Sequence, residues 1–358
     1  LKAIPNSTKR NALEQARSAL VKLTAESYLE PLSVKGSSPQ DLKESVKGLT
    51  ELLSSPDSHS ETLFLVSDNI ESNRFIESIR EVTEKDSTID PTGQNLIRAL
   101  HTSSEGKVVA ESLVGKVMDM DMPEQALSNF FRGSEATPRL LFAHLDSILG
   151  TDTKALLNTF YADNKARLSV PLEVQVSKAN APENDDQLNE RSEELSKLAG
   201  SLLDASSTLL ETILTQKGEK GKLLRSILSK YATDAQTHFR AKHREPLQGA
   251  DIQKYQSDGS EFGSTLATNF VFLRCINPLL AQGQFLDNTA QLNPVQSQNL
   301  KLVSTVAQKT VNVAPGRDNL QFAAQTLIDG GAARRTLDRM KVLSKVDPNV
   351  QTDFQLRN

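Results

Sequence analysis

The sequence predicts an all-α protein. Apolar residues recur at spacings of three and four in one segment after another, as expected for helices that bury a single face. Signals for a helix start precede some of these segments: Ser38-Pro39 places a capping residue before a first-turn proline. One stretch breaks the pattern and alternates with a period of two. We therefore expect helices through most of the chain and one short extended segment.

Five apolar stripes predict the buried faces of helices. In chain order they are Leu42, Val46, Leu49 and Leu53; Leu195, Leu198, Leu202, Leu209 and Ile213; Leu224, Ile227, Leu228 and Tyr231; Phe262, Leu266, Phe270, Leu273 and Ile276; and Leu300, Val303, Ala307 and Val311. Each stripe follows the spacing of one helix face, so we interpret these side chains as core rather than as binding surface.

The extended segment is predicted between residues 168 and 176. Its alternating apolar residues are Leu168, Val170, Leu172, Val174 and Val176. Pro171 favours an edge strand or an ordered loop over a central strand, because proline cannot donate a ladder hydrogen bond. The polar, acidic run that follows, ANAPENDDQLNERSEE, indicates a surface connection.

Composition excludes several classes of function. The chain has 358 residues, a net charge of −4 and 24% charged residues, so it lacks the basic character expected of a nucleic-acid-binding protein. Cys275 is the one cysteine, which rules out an internal disulfide and a cysteine-based metal cluster. No apolar run approaches the roughly 18 residues that span a bilayer, and the first residues lack the apolar core of a signal peptide. We expect a soluble protein of a reducing compartment, the cytoplasm.

The stretch NFFRGSEATPR, residues 129–139, indicates a short loop between two helices. The first helix begins at Pro123 and ends on a pair of phenylalanines. Thr137-Pro138 restarts a helix, with threonine as cap and proline in the first turn. Gly150 is a natural stop for that second helix.

Arg132 lies in this loop, beside Gly133. One interpretation is that its positive charge caps the carbonyl end of the preceding helix. The other is that the loop presents the guanidinium to the active site of another protein, because this group is always charged and its forked donors match phosphate oxygens. A second motif bears on the choice.

That second motif is Asn269–Leu280, NFVFLRCINPLL. We expect a helix to end at Asn277-Pro278, because proline disfavours helical geometry in the residue before it. The order Phe-Leu-Arg and then Asn-Pro resembles a signature of Ras GTPase-activating domains, and FFRG at 130–133 resembles the finger-loop motif of the same family. NLKLVSTVAQKTVN, residues 299–312, is similar to the family's following helix. PLEVQV, LLRSIL and GGAARRTLDRM continue the resemblance in the family's order.

The resemblance covers the chain from about residue 60 to about residue 345. It implies an elongated helical fold with a central catalytic helical domain, here residues 61–345. Residues 1–60 would then be an N-terminal accessory helical segment, forming a lobe with the C-terminal flank, and residues 346–358 a tail.

The resemblance also implies a function. The protein would activate GTP hydrolysis by a Ras-like small GTPase in its GTP-bound state, with Arg132 inserted in trans and Arg274 bracing the finger loop. It would have no complete active site and no cofactor of its own, since the GTPase carries Mg-GTP. Peripheral membrane recruitment is left open. The residues implied in GTPase binding are Phe131, Gly133, Ser134, Leu273, Asn277, Thr305, Gln308 and Asn312.

Three residues depart from the family's pattern. Glu135 brings a negative charge close to the predicted finger, Thr305 stands where the family has a lysine, and Leu279 stands where it has an alanine. A lysine in the late helix would offer a charge to the acidic switch surface of the GTPase. The departures therefore indicate weaker or altered docking.

Other functions have less support in the sequence. A catalytically weak scaffold that binds GTPases is the main alternative, and a helical interaction protein with chance motifs is the next. GEKGK at 218–222 lacks the spacing of a phosphate-binding loop. The basic residues around it are interpreted as a solvated turn or as a patch that steers an acidic partner. They are Lys217, Lys220, Lys222 and Arg225. Asp119, Asp121 and Glu124 are interpreted as a solvated helix start rather than a metal site.

Overall fold

The computed structural model describes residues 6–87, 89–121, 135–172, 185–242, 262–286, 292–312 and 321–339. The chain divides into two compact units between Ser147 and Ile148. Throughout the described ranges the regular elements are helices and no strand is found, so the predicted all-α class is confirmed.

The first unit contains six helices and the beginning of a seventh. They are α1 (Asn6–Ser33), α2 (Pro39–Ser54), α3 (His59–Asn69), α4 (Asn73–Glu84), α5 (Thr92–Leu100), α6 (Ser104–Asp121) and α7 (Ala136–Leu168), which runs on into the second unit. The predicted start of α2 is confirmed: the Ser38 side chain accepts from the N–H of Asp41, whose side chain accepts in return from the N–H of Ser38. This reciprocal capping satisfies two of the donors that a helix start leaves open.

Helix α2 is the centre of the first unit. Its predicted stripe is buried, with Leu42, Val46 and Leu49 inaccessible to solvent and Leu53 1% exposed. It packs against α1, α3, α4 and α5. The predicted domain boundary after residue 60 falls inside α3, and the residues on both sides of it belong to this unit. The assignment of residues 61–345 to one catalytic domain stays a prediction.

Helix α7 does not stop at Gly150, so that prediction is wrong. It continues for 33 residues, from Ala136 to Leu168. A glycine ends a helix when it takes a left-handed conformation, and Gly150 is not among the glycines with positive φ. Inside a helix, glycine costs about 1 kcal/mol relative to alanine. Burial of neighbours such as Leu149 and Leu157 outweighs that cost.

The second unit contains the rest of α7 and a set of further helices. They are α8 (Asp185–Thr215), α9 (Glu219–Lys242), α10 (Phe262–Phe270), a π-helical turn (Val271–Ile276), α11 (Asn277–Gln282), α12 (Pro294–Val311), α13 (Gln321–Asp329) and α14 (Ala332–Arg339). Helix α8 packs against α12, α13 and α14, and α9 packs closely against α10. A Cβ atom on Gly263 would lie 1.9 Å from the carbonyl oxygen of Ala232, so only glycine allows this approach of α10 to α9.

The predicted stripes of the second unit are buried with few exceptions. Leu209 and Leu273 are half-buried, and the side chain of Phe262 lies outside the described part of the chain. The other stripe residues of α8, α9, α10 and α12 are buried, as predicted. None of the described helices is both long enough and apolar enough to cross a lipid bilayer.

Of the two alternatives predicted for 168–176, an edge strand or an ordered loop, the described part is an ordered loop. Leu168 is the last residue of α7, residues 169–172 form an irregular turn, and Val174 and Val176 lie outside the described residues. The fully buried side chain of Asn299 binds this turn. Its Nδ2 donates to the carbonyl oxygens of Leu168 and Val170, at 2.9 and 2.6 Å, and its Oδ1 accepts from the N–H of Leu172 at 3.1 Å. One amide thus replaces the ladder of a strand.

Replacement of Asn299 by alanine should destabilise the second unit. Two carbonyls and one N–H would lose their partner at a buried site, for an expected cost of about 2–4 kcal/mol in the free energy of unfolding. Urea denaturation followed by circular dichroism measures this. Thr305→Ala is the control, because the Thr305 hydroxyl is exposed and bonds within its own helix, to the carbonyl of Lys301. Equal stability of the two variants would contradict the role of Asn299.

A buried histidine lies in the core of the first unit. His144 is inaccessible to solvent, and its Nδ1 is 2.9 Å from Nε2 of His101. Its Nε2 has no hydrogen-bond partner among the described residues. Burial, helped by the neighbouring His101, lowers the pKa of His144 to about 3, so the ring is neutral at physiological pH.

Acid should therefore destabilise the first unit through His144. As the pH falls below the ordinary pKa of 6.5, His144 binds a proton in the unfolded chain. In the folded chain it stays neutral until about pH 3. Between pH 7 and pH 5 this lowers the free energy of unfolding by about 2 kcal/mol. Urea midpoints at the two pH values, compared between wild type and His144→Leu, measure the effect. If the two proteins lose the same stability, His144 is not responsible.

Candidate functional site

The residues predicted to form a site fall into two groups. Phe131, Arg132, Gly133 and Ser134 lie outside the described residues. The others are in the second unit, on the π-helical turn, α11 and α12. They are Leu273, Arg274, Asn277, Thr305, Gln308 and Asn312.

Leu273 and Arg274 come to the surface inside a long buried run. Every other residue from 263 to 277 is buried, whereas these two consecutive residues are half-exposed. A regular helix that was buried over this length would bury them too. The change coincides with the π-helical turn Val271–Ile276, and π-helical turns are rare and often found at functional sites.

The π-helical turn lies just before Pro278. The backbone N–H of Asn277 donates to the carbonyl of Phe272, five residues back instead of four. Proline has no N–H, and its ring collides with the carbonyl four residues back, here Arg274. A wider turn makes room for the ring.

The prediction that a helix ends at Asn277-Pro278 is therefore wrong. Asn277 has helical angles, φ −62° and ψ −40°, and α11 continues to Gln282. The helix ends at Gly283, whose φ of 68° is the left-handed conformation that glycine adopts readily. The general effect of proline on its preceding residue is overcome here by the wider turn.

Three of the predicted binding residues are joined by hydrogen bonds. Nδ2 of Asn277 donates to Oε1 of Gln308 at 2.7 Å, and Nε2 of Gln308 donates to Oδ1 of Asn312 at 3.3 Å. The Ser304 hydroxyl donates to the backbone carbonyl of Asn277 at 3.4 Å. We call Asn277, Gln308 and Asn312 the amide chain. It joins the motif at 269–280 to the motif at 299–312.

Within the amide chain, Asn277 differs from the other two residues in exposure. Only 6% of Asn277 is exposed, whereas Gln308 and Asn312 are half-buried. The Oδ1 of Asn277 has no hydrogen-bond partner among the described residues. The buried amide of Asn277 thus holds Gln308 at the surface of α12.

Helix α12 presents a polar face beside the amide chain. Lys301, Thr305, Gln308 and Asn312 follow the spacing of one helix face, and the first two are exposed. The opposite face carries the buried stripe that begins with Leu300. Because Arg274 is only three residues before Asn277, the surface of the π-helical turn lies close to this polar face.

Arg274 has a buried neighbour in Tyr231 of α9. Tyr231 is 1% exposed, and its ring centre is 5.5 Å from that of Phe270. Burial raises the pKa of Tyr231, and the nearby positive charge of Arg274 opposes the rise. The phenol is therefore protonated, and α9 supports the π-helical turn from the inside.

In the first unit, the two ends that flank residues 122–134 are tied together. Oδ2 of Asp121 accepts from the N–H of Thr137 at 3.0 Å and from its hydroxyl at 2.7 Å. Oδ1 of Asp121 is 2.5 Å from Nε of Arg80. Asp121 is 2% exposed, so the interpretation of a solvated acidic residue is wrong.

The predicted cap of α7 needs the same correction. The helix begins at Ala136, and Thr137 lies inside it instead of preceding it. The carboxylate of Asp121, brought from the end of α6, accepts from the N–H of Thr137 in the first turn, in place of a local cap. A negative charge is favoured at this end of a helix. A capping group from a distant element leaves no local sequence signal.

Glu135 lies in the same acidic surroundings. Burial raises its pKa, the negative charges of Asp121 and Glu84 raise it further, and Arg80 opposes them. The Oε2 of Glu135 is buried with no hydrogen-bond partner among the described residues. The negative charge of Glu135 is therefore disfavoured relative to an exposed glutamate.

Part of the predicted basic patch has internal partners. Lys220 forms an ion pair with Asp152, and Arg225 donates to the carbonyls of Leu214 and Gln216 at the end of α8. Lys217 and Lys222 are exposed. Two of the four positive charges thus stabilise the turn, which favours the structural interpretation over steering of a partner.

The described residues include no group of three or more histidine, cysteine, aspartate or glutamate side chains that could hold a metal ion. No protein-family model and no curated protein sequence matches the chain.

The amide chain should be energetically coupled. Gln308→Ala leaves the buried Asn277 amide without its partner, at an expected cost of about 1–3 kcal/mol in the free energy of unfolding. In the double variant with Asn277→Ala, the loss should be smaller than the sum of the single losses by about 1 kcal/mol. Urea denaturation of the four proteins gives this coupling. Gln308→Ala with Thr305→Ala is the comparison pair, for which we expect additive losses.

Proposed function

We propose that this chain is a GTPase-activating protein for a Ras-like small GTPase in its GTP-bound state. Arg132 is the arginine that enters the active site of the GTPase, and Arg274 braces the finger loop. The GTPase supplies the nucleotide, the magnesium ion and the attacking water. The proposal rests on the order of the motifs in the sequence and on the surroundings of Arg274.

One observation supports the proposal most. Leu273 and Arg274, which the sequence singled out, are the two residues that surface in a buried run, three residues before the amide chain of Asn277, Gln308 and Asn312. Two motifs separated in sequence thus contribute to one polar surface of the second unit. The hydrogen bond between Asn277 and Gln308, one from each motif, supports the proposal over a chance match of short motifs.

Hydrolysis of GTP by the GTPase would be accelerated by an arginine from another protein. Hydrolysis of GTP spreads negative charge over the transferred phosphoryl group and the leaving oxygen, so catalysis depends on positioning and on nearby positive charge. An arginine given in trans to Ras accelerates hydrolysis by about 10³–10⁵-fold, a range that belongs to that system and is carried over to this one. It corresponds to about 4–7 kcal/mol of barrier.

The bracing role of Arg274 is proposed because ordering a flexible loop costs conformational entropy. A long side chain on an unrestrained loop loses conformational entropy when it enters a partner, which weakens its effect. The guanidinium of Arg274 offers several donors in a fixed plane, and such a group can bond loop carbonyls. Its position on a turn that directly follows Phe270, which contacts the buried Tyr231, suits a rigid support.

The polar face of α12 is proposed to contact the GTPase. Thr305 is exposed there and stands where the resemblance implies a lysine. Lys301, one turn earlier, is also exposed and offers a positive charge on the same face. We expect docking through this face to be weaker than with a lysine at 305, because one favourable charge pair is missing.

Single-turnover GTP hydrolysis by a panel of purified Ras, Rap and Rab-type GTPases tests the proposal. Arg132→Ala should lower the stimulated rate by about 10³-fold or more while affinity for the GTPase stays within several-fold. Arg274→Ala should lose less rate and keep the fold. Arg10→Ala is the matched control, since Arg10 is exposed and, among the described residues, forms its ion pair along α1 with Glu14, and it should keep full stimulation.

Three outcomes separate the alternatives. Full stimulation by Arg132→Ala would remove the arginine finger. Binding of a GTP-loaded GTPase by wild type without stimulated hydrolysis would support the scaffold alternative. Neither binding nor stimulation across the panel would end the proposal.

A further inference from the structure

The π-helical turn Val271–Ile276 changes the relative orientation of the helices on either side. An α-helix advances 100° per residue, from its 3.6 residues in a turn. The turn contains one residue more than an α-helical turn would, so it absorbs about 100° of rotation between α10 and α11. Both flanks are fixed in the core, by Phe270 on one side and by Leu280 on the other.

We propose that Pro278 is a positioning residue that holds this segment in the π-helical form. This form brings Arg274 to the surface and keeps Asn277 turned toward Gln308. The influence on activity rests on the function proposed above, whereas the influence on the backbone does not.

The physical reason lies in the carbonyl of Arg274. In an α-helix the N–H of residue 278 would bond to it, but proline has no N–H and its ring occupies the same space. The N–H of Asn277 instead reaches Phe272, which opens the turn. An alanine at 278 would supply the missing N–H and remove the ring, and the α-helical form would become available.

Loss of the wider turn would disturb two side chains of the candidate site. If the segment became α-helical, residues 273–276 would rotate relative to Asn277 by up to about 100°. Arg274 would then leave its present direction, or Asn277 would leave Gln308. Pro278 would thus set both the direction of Arg274 and the contact of Asn277 with Gln308.

Cys275 gives a native probe of this change. It is the single cysteine of the chain, it lies inside the π-helical turn, and it is 3% exposed. Reagents that modify thiols reach a buried sulfur slowly. A rotation of residues 273–276 would change the exposure of this thiol without any engineered label.

The experiment compares Pro278→Ala with Pro294→Ala in the full chain. Pro294 is the matched control, because it occupies the first turn of α12, where an N–H has no helical partner to lose. We expect the Cys275 thiol of Pro278→Ala to react with a disulfide reagent at least tenfold faster than wild type. Its urea midpoint should not fall below that of Gln308→Ala, because at most the hydrogen bond between Asn277 and Gln308 is lost. Pro294→Ala should react at the wild-type rate.

Two results would overturn the proposal. One is an unchanged thiol reactivity in Pro278→Ala, which would mean that packing alone sets the turn. The other is a urea midpoint for Pro278→Ala below that of Gln308→Ala, because faster thiol reaction would then report general loosening.

The activity arm uses a GTPase that wild type stimulates. There, Pro278→Ala should lower the stimulated rate at least tenfold and Pro294→Ala should not. If wild type stimulates no GTPase, the proposed function fails while the thiol measurement still tests the backbone role. If stimulation is normal in Pro278→Ala but the thiol reacts faster, the link to Arg274 is overturned.

Discussion

The second unit depends on side-chain amides of α12, buried in Asn299 and Gln296 and half-buried in Gln308, that satisfy backbone and polar groups of other elements. Asn299 binds the backbone of residues 168–172, and Gln308 holds Asn277. Gln296 accepts from the hydroxyl of Tyr161 and donates to that of Ser169. A buried polar group without a partner costs about 1–3 kcal/mol. By supplying hydrogen-bond partners, these amides remove that cost for the groups they bind. The same helix that packs the core through one stripe therefore also fixes the surface beside Arg274.

The sequence predicts local features of this fold well. Buried stripes such as Leu42 to Leu53 depend only on spacing, and the Ser38 cap depends on residues within one turn of it. Contacts made by a distant residue were not predicted. Asn299 fixes the loop that follows α7, and Asp121 takes the place of a local cap for α7. Neither partner can be paired with its target from spacing alone.

In the candidate site, too, the sequence indicated individual residues but not the contacts between distant ones. Leu273, Arg274, Asn277, Gln308 and Asn312 were found because motifs carry them, and the hydrogen bonds that join the last three depend on the packing of α11 against α12. The π-helical turn was missed, although a signal existed. An Asn-Pro pair at the end of an apolar helical stripe that continues into further apolar residues indicates a helix that passes through proline by widening. The sequence was interpreted as a stop because such continuation is the rarer outcome.

Electrostatics at the ends of residues 122–134 follow from one buried carboxylate. Asp121 satisfies the start of α7 and pairs with Arg80, which also pairs with Glu84. Glu135 lies beside these pairs, and its Oε2 lacks a partner among the described residues. Burial and the neighbouring negative charges of Asp121 and Glu84 therefore raise the pKa of Glu135, and its charged form is less favourable than that of an exposed glutamate.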